Sequence, residues 1–231
     1  MTNVQQNLIQ IKENMQEACA LANRNLSDVT IIAVTKEVSV ERTQEVIAAG
    51  IHHLGENRPE GLKMKLDAII DEEVKWHYIG TLQTRKVKAV INEIDYLHSL
   101  DRLSLADEIE KRATTRKDCF VQVNVSEEES KHGLTSEEAE KFIKQLANYS
   151  RINVIGLMTM APNTEDISII RTVFRNLKQL QEKIAALQLP NAPCTELSMG
   201  MSGDYQIAIA EGATFVRIGT ALVGKEKEGI V

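Results

Sequence analysis

The sequence predicts an α/β fold, a single closed (β/α)8 barrel of the TIM type preceded by one extra helix. Three observations point to it. Short apolar runs rich in β-branched residues recur eight times along the chain, with helical patterns between most of them. That alternation is the mark of a parallel sheet with right-handed crossovers. A length of 231 residues also suits eight such units, whereas a doubly wound open sheet uses fewer strands.

The elements follow in order. Residues 4–25 place Leu8, Ile11, Met15, Ala18 and Ala22 at intervals of three and four, so the 1–28 segment supplies an amphipathic N-terminal helix. Residues 29–35 are nearly continuous in β-branched and apolar side chains, as a strand buried on both faces requires. Further strands are expected at 51–54, 76–79, 96–97, 119–125, 154–160, 196–198 and 214–218. Helices are expected at 40–49, 59–70, 84–91, 103–113, 137–149, 168–187 and, briefly, 205–210. In helix 168–187, Ile169, Val173, Leu177 and Leu180 recur at helical spacing, which reads as core packing. No Gly/Ser linker, low-complexity tract or strong repeat divides the chain, so 1–231 is read as one domain with a charged, frayed tail at 225–231.

Composition narrows the function classes. The chain is 43% hydrophobic and 26% charged, enough to bury a core. No apolar run approaches the ~20 residues that span a bilayer, and the mixed N-terminus is not a signal peptide. A net charge of −6 argues against a phosphate-backbone binder, and four Phe, four Tyr and one Trp give few stacking platforms for nucleic acid. Cys19, Cys119 and Cys194 are odd in number and widely spaced, which suits a reducing cytoplasm better than a disulfide framework or zinc site.

In such a barrel, chemistry sits at the C-terminal ends of the strands. Strand one ends in Lys36, either a lysine snorkelling to water or a desolvated amine able to form a Schiff base with a carbonyl ligand. Arg217 lies inside the apolar run of strand eight, where it needs an internal salt bridge or an acceptor in the barrel mouth, such as the ring nitrogen of a pyridoxal cofactor. Ser198, Gly200, Ser202 and Asp204 follow strand seven, and Gly219 and Thr220 follow strand eight. Ser202 or Asp204 could simply cap the next helix. Yet phosphate sites in these barrels form after strands seven and eight. An aldehyde anchor, a ring-nitrogen donor and a phosphate cradle together describe a pyridoxal phosphate site.

The motifs AVTK (33–36), GENR (55–58), WHYIGTLQTRK (76–86), VNVS with SKHG (123–133), GLMTM (156–160), LSMGMSGDY (197–205) and GATFVRIGTALVG (212–224) run in this order. On these motifs the chain resembles the YggS/PROSC family of pyridoxal phosphate-binding proteins, the PLP homeostasis proteins, over nearly its whole length. The resemblance implies a barrel like the N-terminal domain of alanine racemase (fold type III), with pyridoxal 5′-phosphate as an internal aldimine of Lys36. It sets Arg217 against the pyridine nitrogen. Phosphate contacts fall on Ser198, Gly200, Ser202, Gly219 and Thr220, and Asn57 lines the rim. Pro59 after GENR departs from the pattern, but proline suits a helix's first position.

An arginine at the ring nitrogen weakens the ring as an electron sink, so transamination is disfavoured. Racemization needs a base on each face of the substrate carbon, and the relatives' opposite tyrosine comes from a second domain and the partner subunit. Tyr205 is the one candidate here. The leading expectation is therefore a non-catalytic, monomeric PLP carrier in the cytoplasm, with no membrane or nucleic-acid partner, passing cofactor to PLP-dependent apoenzymes. A weak racemase is the alternative, and a Schiff-base aldolase acting through Lys36 the third. His52, His53 and His77 read as core or rim residues rather than metal ligands, since adjacent strand residues face opposite ways. Arg85, Lys86 and Lys88 read as a solvated helix face, and 130–133 as a loop over the mouth or a polar connection.

Overall fold

Apolar runs buried on both faces close on themselves in the computed structural model, which describes residues 2–126 and 132–225. The strands are β1 (Thr30–Val34), β2 (His53–Glu56), β3 (Lys75–Tyr78), β4 (Tyr96–Leu100), β5 (Lys117–Gln122), β6 (Ile152–Met158), β7 (Glu196–Ser198) and β8 (Phe215–Ile218). They form a closed parallel barrel in sequence order. Its seam is the β1–β8 pair, with Ile32 opposite Arg217 and Ala33 opposite Ile218.

The helices are α1 (Asn3–Leu21), α2 (Val40–Ala48), α3 (Pro59–Ala68), α4 (Val87–Val90), α5 (Leu103–Arg112), α6 (Ser136–Gln145), α7 (Ile167–Ala185), α8 (Tyr205–Ala210) and α9 (Thr220–Val223). Local chemistry fixes their starts. Ser39 and Asp166 accept from the first-turn amides of α2 and α7, and a Thr135–Glu138 capping box opens α6. Pro59 takes the first position of α3, where its missing N–H costs nothing. The large core lies between sheet and helices, and Ile32, Phe120, Met158 and Phe215 form a smaller one inside the barrel.

α1 packs across α8 and α9. Its Asn7 donates to the Leu222 carbonyl at 2.9 Å, and its Asn14 donates to the Tyr205 hydroxyl at 3.0 Å. Among the described residues, no helix is long and apolar enough to cross a membrane.

Several boundaries differ from expectation. β2 runs on to Glu56, and β4 runs on to Leu100, because Glu56, His98 and Ser99 are polar yet buried. The helix expected at 84–91 is a 3-10 turn, Thr84–Lys86, followed by the single-turn α4. In α7 Val173, Leu177 and Leu180 are buried as expected, but Ile170 takes the core position in place of Ile169, which is 44% exposed. α9 lies in a stretch for which no helix is expected. Residues 127–131, which include the first half of the loop expected at 130–133, and 226–231, within the expected tail, lie outside the described residues.

Candidate functional site

Six of the eight sequence-predicted site residues line one cavity of about 370 Å³ at the C-terminal ends of the strands: Lys36, Asn57, Ser202, Arg217, Gly219 and Thr220. That volume falls within the roughly 300–1,000 Å³ usual for small-ligand sites. Met158, Met160 and Met201 supply much of its apolar wall, with Val34 and Ile79 below. A second cavity, of about 240 Å³, shares Lys36, Gly219 and Thr220 and adds Glu37.

Lys36 stands two residues beyond β1, half-exposed at the mouth, with Nζ 3.6 Å from the Glu37 carboxylate. It is therefore not the fully desolvated amine of the sharper sequence reading. What fixes its place is the residue before it. The Thr35 hydroxyl donates to Glu56 Oε1 at 2.6 Å, and Lys65 Nζ donates both to the same oxygen at 2.5 Å and to the Thr35 carbonyl. Glu56 and Lys65 are both buried. This ion pair from GENR and α3 carried no signal in the strand pattern, because a charged strand end reads as a strand stop.

Asn57 reaches the cavity because Gly80 lets the next strand end pass beneath it: a Cβ on Gly80 would lie 2.4 Å from the Asn57 carbonyl.

Arg217 is buried and faces the cavity with neutral partners. Its Nη1 donates to the Ser198 carbonyl at 2.9 Å and to Ser198 Oγ at 2.6 Å, and its Nη2 donates to the Thr159 carbonyl at 3.0 Å. Burial lowers its pKa to about 10, against the opposing pull of Asp204. Among the described residues it makes no ion pair at contact distance, so an internal salt bridge does not account for it. Burial raises the Asp204 carboxyl, opposed by the Met201 amide and by Arg217.

Ser198 and Gly200 lie outside the cavity lining. Ser198 is fully buried, engaged by Arg217 on one side and His98 Nδ1, 2.9 Å away, on the other. Gly200 has φ +92°, and a Cβ there would meet the Ala208 Cβ at 2.5 Å, so it serves the close approach of α8. Ser202 caps nothing; its Oγ accepts from the Gly219 amide at 3.3 Å and ties the two loops together. Asp204 folds its own loop by accepting from the Met201 amide at 2.5 Å. Among the described residues, the Ser202 and Gly203 amides and the Thr220 hydroxyl have no protein partner. Free amides, hydroxyls and glycines are the donor set of an anion cup.

Tyr205 turns away from the mouth, its hydroxyl taken by Asn14 of α1, which removes the one tyrosine considered for acid–base work. Tyr149 is at the surface, donating to Asp107 at 2.6 Å. His53 points into the barrel and contacts His77, while His52 lies 3.8 Å from Glu73 on the outside. His52, Asp71 and Glu73 bring ligand atoms together, with both carboxylates exposed. Lys86 donates to Glu60 at 3.2 Å on the surface.

A barrel of this topology, with a lysine after its first strand and an arginine on its last, defines a class. A sequence profile described as "Alanine racemase, N-terminal domain" matches residues 6–227. The pyridoxal phosphate homeostasis protein of Aquifex aeolicus is 38% identical over 97% of this chain and 99% of its own. A protein of Bifidobacterium adolescentis has a crystal structure that superposes with a TM-score of 0.90 at 31% identity, covering 95% of this chain and 94% of that one. PipY of Synechococcus elongatus, solved with PLP bound, gives 0.80 at 30% identity, covering 91% of this chain and all of its own. The chain belongs to the pyridoxal phosphate homeostasis family, built on the alanine racemase N-terminal barrel.

Proposed function

We propose that this chain holds pyridoxal 5′-phosphate in the Lys36–Arg217 cavity and serves its intracellular homeostasis without turning over a substrate. Bound there, pyridoxal phosphate would supply an electrophilic aldehyde, a ring-nitrogen acceptor and a phosphate anion. The residues fit that group from end to end. Lys36 Nζ offers the amine. Arg217 offers a donor that never becomes an acceptor. Ser202, Gly203, Gly219 and Thr220 offer the anion cup, and three methionines offer polarizable walls to a ring. PipY, similar in fold and sequence, supports this reading.

The observation that carries the non-catalytic half is the composition of the cavity wall. Among its described lining residues, Lys36 is the one side chain able to exchange a proton with a carbon acid. Arg217 leaves the ring nitrogen unprotonated, which weakens its pull on electrons. Lys36 therefore acts as an anchor with no opposing base among the described lining residues. The reading sets the protein in the cytoplasm as a monomer, its three unpaired buried thiols suiting a reducing compartment, with PLP-dependent apoenzymes as recipients.

The test is near-visible absorbance of protein mixed with pyridoxal phosphate, before and after borohydride, with Lys36→Ala alongside. A reducible band with label fixed on the Lys36 peptide, absent from the variant, is expected. No band in wild-type protein would end the cofactor reading. Deuterium exchange at the α-carbon of any amino acid would end the non-catalytic one.

A further inference from the structure

Behind Arg217, a line of polar side chains runs through the barrel to its opposite end. Ser198 Oγ lies 2.9 Å from His98 Nδ1, His98 Nε2 lies 2.8 Å from His77 Nδ1, and His77 Nε2 lies 2.8 Å from His53 Nδ1. These residues come from β7, β4, β3 and β2. Rings wedge them in place: Phe120 stacks on His98 and Tyr96 on His77, each with centroids 4.3 Å apart. His53 ends the line at a cavity of about 320 Å³ between α1 and the starts of β1 and β2.

Proton counting fixes the direction of the line. A guanidinium only donates, so Ser198 Oγ accepts from Arg217. The serine's single hydrogen then has one partner among the described residues, His98 Nδ1. Pairing that hydrogen puts the His98 proton on Nε2, where it donates to His77 Nδ1. His77 likewise donates from Nε2 to His53 Nδ1, which leaves the His53 proton on Nε2. A second proton on His77 would face the His98 Nε2 hydrogen across 2.8 Å, and one on His98 would displace the serine hydrogen from its partner. Burial agrees, disfavouring the charged form of all three rings.

We propose that His98, backed by His77 and His53, is a positioning relay. It keeps Ser198 turned as an acceptor toward Arg217, and so aims the guanidinium at the cavity. Were His98 to donate from Nδ1 instead, Ser198 would receive two donors and its own hydrogen would be buried without an acceptor among the described residues, a costly arrangement. The consequence for cofactor rests on the proposed function; the arrangement of protons does not.

Nitrogen-15 NMR of histidine-labelled protein freed of cofactor tests the arrangement directly. At neutral pH, His53, His77 and His98 are expected to be neutral with the proton on Nε2. A proton on His98 Nδ1, or a cationic ring, would overturn the proposal. Pyridoxal phosphate affinity then tests the consequence. His98→Phe and Ser198→Ala are each expected to lower it about tenfold, the scale of one hydrogen bond to a charged partner, and the double variant no further. His98→Gln replaces His98→Phe should the latter fail to fold. Additive losses would overturn the relay. If wild-type protein captures no pyridoxal phosphate, the cofactor reading fails while the tautomer result still decides the relay.

Discussion

Replacing Lys65 by methionine removes one half of a buried ion pair whose partner, Glu56, is 1% exposed. Glu56 Oε1 would keep the Thr35 hydroxyl as a donor but lose its only cation within contact distance among the described residues. Stranding one charge of a buried pair costs about 3–5 kcal/mol. In a chain of this size each kcal/mol moves the melting temperature roughly 2–4 °C, so Lys65→Met should melt about 6–20 °C below wild type. The Thr35 carbonyl also loses its lysine donor, which loosens the residue that sets Lys36. Borohydride trapping on Lys36 should slow accordingly. Adding Glu56→Leu removes the stranded charge, and the double variant should regain most of the lost stability, since apolar replacements of buried pairs are often neutral. Calorimetric melts of the three proteins decide the matter. A Lys65→Met melt within 2 °C of wild type would refute the reasoning, because the pair would then not be desolvated at all.

Three further outcomes are expected. His77 and His98 stay uncharged when folded but protonate near pH 6.5 when unfolded, so the unfolded chain binds more protons and stability falls as the solution acidifies. Between pH 7 and 5.5 the two rings together account for at most roughly 2–3 kcal/mol, and a denaturation midpoint flat over that range would contradict their neutrality. Ser202→Ala with Thr220→Val should reduce the preference for pyridoxal phosphate over unphosphorylated pyridoxal by about tenfold or more in competition trapping, while an unchanged preference would move the anion cup elsewhere. Tyr205→Phe should cost about 1 kcal/mol in urea melts by removing the acceptor of Asn14 Nδ2, and leave cofactor capture untouched.

The barrel was legible because parallel strands buried on both faces leave long apolar runs, and those runs came in the right number and order. Legibility failed where the interior is polar. His98 and Ser99 made β4 look two residues long, and Glu56 made β2 look finished before its functional end. Lys36 and Arg217 stood out because each breaks the apolar pattern at a strand where chemistry gathers. Ser198 was harder to read, since its motif places it near the cup without saying which way its side chain turns. Thr159 offers Arg217 a carbonyl, and a backbone acceptor leaves no trace in residue identity. The methionine walls lie within two of the quoted motifs, but methionine fills cores so commonly that spacing alone gives it no role.

The site is also drawn from the two ends of the chain. Lys36 follows the first strand, Arg217 sits on the last, and the seam between them can close only once β8 has been synthesised. α1 also ties down α9 through Asn7 and Leu222, the helix whose first residue, Thr220, lines the cavity. On the proposed function, a nascent chain carries its anchoring amine long before any arginine or anion cup exists to select an aldehyde for it. Specific capture by Lys36, as proposed, would then belong to finished molecules alone, and a truncated chain ending before residue 215 would leave that lysine no more discriminating than any other on a protein surface.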